Sequence, residues 1–253
     1  GKITKERAAQ AALSRGSGDN MDLNKLEEAL EQDRLCHIDM IDCIRRGFAQ
    51  VEKWDERGVL LYNTGCNQYH LTAKDPSFLE EAVALCRPGR TLVCHQEEYV
   101  PQAVSRLGLN RMDFYHGVYS HSAPPPQRGE EPVIRTLDPS WLDQVSPHYY
   151  ADSERAMLAR TLARGEIFGA FKEEKLAGFI GCHEEGTYGI LEVMPDFRRQ
   201  GIGYALERHV IGWLLERGRI PYCQIRPDNK ASLSLQNRLG LELSPRVVHW
   251  LFP

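Results

Sequence analysis

Apolar positions recur at helical spacing in some stretches and in short β-branched runs in others, and the two kinds alternate along most of the chain. "MDLNKLEEALEQD" and "CHIDMIDCIRRGFAQ" carry apolar residues three and four apart, which predicts two helices. "GVLLYN" and "QYHLTA" are short apolar runs and predict two strands. "DPSFLEEAVALC" predicts a helix with Asp75 as N-cap and Pro76 in the first helical position. "TLVCH" predicts a strand, "EEYVPQAVSRLG" a helix interrupted by Pro101, and "RMDFYHGVYS" a strand. "SAPPPQRGEEP", residues 122–132, breaks the pattern. Its three consecutive prolines predict an extended, stiff linker.

The alternation resumes with a strand in "VIRTL", a helix opened by "DPSWLDQV" and a helix "DSERAMLARTLARG" stopped at Gly165. "EIFGAFKEEKLAGFIGCHEEGTYGILEVM" predicts three strands. A helix from Ile202 to Arg217 buries a stripe of Ile202, Leu206, Val210, Trp213 and Leu214. The strand "PYCQIRP", a helix from about Asn229 to Leu239 and the strand "RVVHWLF" complete the chain. The two halves are alike: in each, a strand, a helix, Leu-Gly-Leu and a strand follow in order, with Leu107-Gly108-Leu109 matching Leu239-Gly240-Leu241. A diverged internal repeat accounts for this. The pattern predicts an α/β (α+β) fold in four parts. Residues 1–20 form a disordered or expression-derived N-terminus, and 21–121 a smaller α/β domain. Residues 122–132 form the Pro-rich linker, and 133–253 the domain that carries the chemistry.

Composition narrows the function. Of 253 residues, 42% are hydrophobic and 26% charged, and the net charge is −4. That balance argues against a nucleic-acid partner, which needs clustered Lys and Arg. No apolar run is long enough to cross a bilayer and no secretory signal is visible, so no membrane partner is expected. The seven cysteines are odd in number and form no C-x-x-C, which predicts buried reduced thiols, no metal site and a cytoplasmic location.

The chemistry gathers at "PDFRRQGIGYAL", residues 195–206, between an apolar strand and an amphipathic helix. The first turn of a helix offers unpaired N–H groups backed by the positive end of the dipole. Gly201 and Gly203 let a phosphate approach the main chain, and Arg198 and Arg199 add cationic donors. A strand-to-helix turn without a ligand is the alternative reading. No Gly-x-x-x-x-Gly-Lys-Ser/Thr occurs, and no Gly-x-Gly-x-x-Gly opens a βαβ chain.

"LEVMPDFRRQGIGYAL" resembles the acetyl-CoA signature of the GNAT superfamily of N-acetyltransferases, Gln/Arg-x-x-Gly-x-Gly/Ala after a V-x-P strand end, and Arg198, Gly201 and Gly203 fill it. "DNKASLSLQNRLGL" resembles the family's later helix. The N-terminal half resembles the extra half-domain of tandem and glycine N-acyltransferase-like members, and it lacks the arginine–glycine joint. The resemblance implies the GNAT fold, a mixed twisted sheet with splayed central strands flanked by helices. It implies acetyl-CoA as co-substrate, with pantetheine against the backbone around Val193. The N–H groups of Arg199, Gln200, Gly201, Ile202 and Gly203 would hold the pyrophosphate. Asn229 would contact CoA or the acceptor, with Ser232 facing the same way, although Asn229 also reads as an N-cap. The implied reaction is direct attack on the thioester by the primary amine of a small molecule or amino acid, in a monomer or homodimer. Glu192, a carboxylate in an apolar strand, is the candidate general base, and a salt bridge to a neighbouring Arg is its alternative. Gln236 stands where many members carry a tyrosine acid and has no proton to give. Tyr188, Tyr204 and Tyr222 are substitutes or packing residues. The missing tyrosine leaves open a catalytically weakened acyl-CoA-binding protein, and the resemblance leaves open a longer acyl-CoA.

Overall fold

Helix starts fall where short-range chemistry puts them in the computed structural model, which describes residues 22–148 and 152–253; the expectation for residues 1–20 lies outside that range. Asp22 caps α1 (Leu23–Glu31), its carboxylate accepting from Asn24 N–H. Helix α2 (Ile38–Arg45) follows. The helical spacing of "CHIDMIDCIRRGFAQ" runs past Arg45, but Gly47 ends it and the next residues join β1 (Ala49–Asp55). β2 (Gly58–Asn63) and β3 (Gln68–Ala73) form an antiparallel hairpin. Asp75 caps α3 (Pro76–Leu85) by accepting from Phe78 N–H at 3.1 Å. β4 (Leu92–Cys94), α4 (Val100–Leu107) and β5 (Asn110–Val118) close the first half. Pro101 lies in the first turn of α4 and starts the helix rather than interrupting it.

The second half begins with β6 (Val133–Thr136). "DPSWLDQV" forms a 3₁₀ turn, Pro139–Trp141, and the single turn α5 (Leu142–Val145) rather than one helix. Then come α6 (Asp152–Ala163), β7 (Ile167–Lys172), β8 (Lys175–Gly181) and a two-residue β9 (Glu192–Val193). Helix α7 (Ile202–Glu216), β10 (Tyr222–Ile225), α8 (Lys230–Leu239) and β11 (Glu242–Phe252) end the chain.

The strands form one sheet of order β1-β2-β3-β4-β11-β5-β10 and a second of order β6-β7-β8-β9. The last strand of each half is inserted into the other half. β11 lies between β4 and β5, and β5 lies between β11 and β10, all antiparallel. The order β4-β11-β5-β10 is symmetric about the β11–β5 pair, and both preceding helices end on left-handed glycines, Gly108 and Gly240. This is the geometry of two copies of one unit exchanging strands. One core lies between α3, α4 and the β2–β4 face, around Phe78, Leu79 and Leu251; another lies between α7, α8 and the β7–β8 face, around Phe168, Leu206 and Leu214.

Residues 122–132 do not hang free between the halves. Tyr204 Oη donates to Pro126 O at 2.9 Å, Arg208 Nε donates to Pro125 O at 2.8 Å, and Arg208 pairs with Glu131. The proline segment is therefore a strap tied across α7.

Candidate active site

The two sheets meet at one end and part at the other. Tyr188 N–H donates to Tyr222 O at 3.0 Å, which joins the connection after β8 to the strand β10. The N–H groups of Gly189 and Ile190 both reach Gly181 O, at 2.9 and 3.3 Å, which is a bulge. Beyond it, among the described residues, β9 pairs with β8 alone and β10 with β5 alone, so the sheet splits. A cavity of about 350 Å³ fills the split. Tyr188 and Leu191 line one side and Cys223 the other, with Ser232 and Gln236 of α8 and Glu207 of α7 completing the wall. The corresponding strands of the first half, β3 and β4, stay closed in a parallel ladder from Tyr69↔Leu92 to Leu71↔Cys94.

The joint after β9 delivers α7 to the mouth of the split. Residues Pro195–Phe197 form a 3₁₀ turn, and Arg199 and Gly201 take positive φ, 61° and 81°. Gly201 is the N-cap and supplies no side chain. The first bond into the helix is Ala205 N–H to Gly201 O, so the N–H groups of Ile202, Gly203 and Tyr204 precede it, free for an anion. A Cβ on Gly201 would meet nothing within 4 Å, so glycine is required there by backbone conformation. A Cβ on Gly203 would sit 3.7 Å from Leu235 and 3.8 Å from Val193, in ordinary contact, on the side that faces the split. In the first half the equivalent helix start is filled by the Asp75 carboxylate.

The side chains of the joint divide. Arg198 turns back to β9, donating from Nε to Val193 O at 3.1 Å and pairing with Glu192 at 3.3 Å. Gln200 donates to Asp196 O at 3.0 Å and accepts from Lys172 Nζ at 3.3 Å, which brings in a cation that the sequence reading did not single out. Arg199 is exposed and has no ion pair among the described residues. Asn229 caps α8 by accepting from Ser232 N–H at 3.0 Å, and both residues line the cavity. Glu192 lies on β9 opposite Phe179, half-buried against Arg198, outside the cavity wall.

The floor of the cavity is polar and closed. Gln236 is 2% exposed, accepts from Tyr188 Oη at 3.2 Å and donates from Nε2 to Glu207 Oε1 at 2.9 Å. Glu207 is 3% exposed and its Oε2 has no partner. Burial pushes the Glu207 carboxyl up to about 8, against the lowering effect of the Gln236 amide and the neighbouring Tyr188 hydroxyl. Burial likewise holds the Tyr188 phenol and the Cys223 thiol well above their ordinary values. Of the three tyrosines raised by the sequence, Tyr188 alone lines the cavity. Tyr204 is bound to the strap, and Tyr222 reaches toward Glu185 O at 3.4 Å. Glu207 was not a candidate from sequence, yet it stands in the apolar register of α7, with Val210, Ile211 and Leu214 at i+3, i+4 and i+7 from it.

A split sheet with an uncapped helix start at its mouth is the arrangement that the sequence resemblance implies. Residues 131–241 match the acetyltransferase (GNAT) family. They are a GNAT acetyltransferase domain. The chain is 31% identical over 97 residues to the [ribosomal protein bS18]-alanine N-acetyltransferase of Escherichia coli strain K12, covering 37% of this chain and 66% of that protein. It is 26% identical over 114 residues to the Salmonella typhimurium enzyme of the same name, covering 43% of this chain and 77% of that one. A Drosophila protein of solved structure shares the fold at a TM-score of 0.61 and 17% identity, over 99% of this chain and 95% of its own. A GCN5-related N-acetyltransferase-like protein from Streptococcus suis aligns at a TM-score of 0.53 and 13% identity, over 90% and 98%. Among the described residues, no helix is long and apolar enough to cross a membrane.

Proposed function

We propose that the chain transfers an acetyl group from acetyl-CoA to a primary amine by direct attack on the thioester. The observation that carries the reading is the cavity of about 350 Å³ in the split between β9 and β10, opening at the unpaired N–H groups of α7. Pantetheine would lie along the β9 edge near Leu191 and Val193. The pyrophosphate would accept from the N–H groups of Gly201 to Gly203, with Arg199 and Lys172 as nearby cations. The first half would bind no CoA, because its strands are paired shut and its helix start is occupied by Asp75. Its role would be to complete the catalytic half with β5.

Glu192, on β9 beside the split and paired with Arg198, would release that arginine to attract an ammonium acceptor and take its proton before attack. The acceptor named for the Escherichia coli relative is an alanine of a ribosomal protein, so an α-amine is the first acceptor to try beside small amines. Calorimetry with CoA, followed by thiol release from acetyl-CoA across an amine panel, tests the reading. One CoA per chain and acceptor-dependent thiol release are expected. CoA binding with no release by any amine would support an acyl-CoA-binding protein without turnover. No CoA binding would overturn both readings.

A further inference from the structure

A buried carboxyl with one oxygen outside any hydrogen bond forms part of the cavity wall. Gln236 Nε2 donates to Glu207 Oε1 at 2.9 Å, so Oε1 serves as the acceptor oxygen and any proton on the group sits on Oε2. Oε2 is buried and has no hydrogen-bond partner. Among the described residues no counter-ion answers the carboxyl from the packed elements. Tyr188, after β8, and Cys223, on β10, are the titratable groups that face it, and α8 contributes the uncharged Gln236. An unpaired buried O–H donor costs stability. A catalytic role is one reason a site keeps such a group.

We propose that Glu207 is the catalytic acid of the transfer, handing its Oε2 proton to the sulfur of the departing CoA. The inference rests on the acyl-CoA reading above. The neutral amine attacks the carbonyl carbon, its N–C bond forms, and the C–S bond breaks with its electron pair going to sulfur. The sulfur takes the proton from Glu207, leaving a carboxylate. The attacking nitrogen loses one proton to Glu192 or water, and Glu207 recovers its own from solvent when the products leave.

The alternatives in the cavity are weaker acids. Tyr188 and Cys223 are both held above their ordinary values, whereas Glu207, at about 8, lies close to an ordinary thiol near 8.5. An acid matched to its leaving group and to the working pH is the efficient choice. Glu207 therefore takes the place of the tyrosine that Gln236 displaces, while Gln236 holds it in position.

The test measures kcat/KM for acetyl-CoA from pH 6 to 10 at saturating acceptor, in the chain of 253 residues, with CoA affinity by calorimetry in parallel. Wild type should show a falling limb with its midpoint near 8. Glu207→Gln keeps an oxygen for Gln236; it should lose at least about tenfold in kcat at neutral pH, retain CoA affinity and lose the falling limb. Glu207→Leu, which suits the apolar neighbours, should show the same loss. Wild type without the limb, or a variant with unchanged rate and limb, overturns the proposal while leaving the transferase reading intact. Wild type that binds no CoA overturns that reading instead.

Discussion

At the residue scale the two glycines of the joint make different demands. Gly201 is held at φ +81°, where a side chain costs roughly 1–2 kcal/mol, so Gly201→Ala should lower stability as well as binding. Gly203 has ordinary surroundings, so Gly203→Val should keep the thermal midpoint within a few degrees and weaken CoA binding at least about tenfold. Paired melting curves and calorimetry check this. Unchanged affinity in Gly203→Val would remove the phosphate from this turn. Glu192→Gln should slow acetylation more at neutral pH than at high pH, where free amine is abundant. Rate profiles of equal shape differing by less than about twofold would reduce Glu192 to the partner of Arg198. Glu207 also sets a stability slope. Its folded value, about 8, lies above its ordinary 4.5, so the folded state holds one more proton than the unfolded state between these values. Stability therefore falls as pH rises through that window, by roughly 1.4 kcal/mol per unit. Denaturant midpoints of wild type and Glu207→Leu between pH 5 and 8 should converge at the acid end and separate at the alkaline end. The glycines and arginines were legible because spacing alone marks them. The fate of Arg198 was not, because it depends on where Val193 O and Glu192 lie after folding.

At the element scale, α2 is held by a charge buried beneath it. Asp39 is 2% exposed and accepts from His70 Nδ1 at 2.7 Å and from His95 Nε2 at 2.9 Å. His95 Nδ1 also donates, to Leu71 O at 2.8 Å, so both ring nitrogens carry protons and the ring is a cation. The ion pair holds Asp39 well below the ordinary carboxylate range and raises His95, in each case against burial. The stability from Asp39 is present above about 3.8 and lost as pH falls through its lowered value. That from His95 is present below about 6.5 and lost as pH rises through its raised value. Asp39→Asn leaves a buried cation without its partner and should cost about 3–5 kcal/mol, read as a drop in the urea midpoint near pH 6. A loss below about 1 kcal/mol would contradict the charged pair. Elements with a cap and a stripe, such as α3 behind Asp75, could be located from sequence. β9 was expected as the third strand of its run, but its shortness was not legible, because the bulge at Gly189 leaves only two residues of a longer apolar run in the ladder.

At the scale of the whole molecule, strand exchange makes the halves depend on each other. The Leu-Gly-Leu echo and strand order exposed the repeat, but no local pattern states that β11 pairs with β4 and β5 across more than 120 residues. Residues 133–253 alone would leave β10 and β11 without β5 and should not yield a cooperative melt, and co-expression with 21–121 should restore one. Cooperative folding of 133–253 alone would contradict this dependence. The same symmetry sharpens the central claim, because the molecule holds an open and a closed version of one strand–helix joint. Amide hydrogen exchange with and without CoA reads both at once. Protection confined to Leu191–Val193 and Ile202–Tyr204, with none at β3 or the start of α3, is the result expected. Binding of CoA with protection at Tyr69–Leu71 and Ser77–Leu79, or with none at the start of α7, would contradict it.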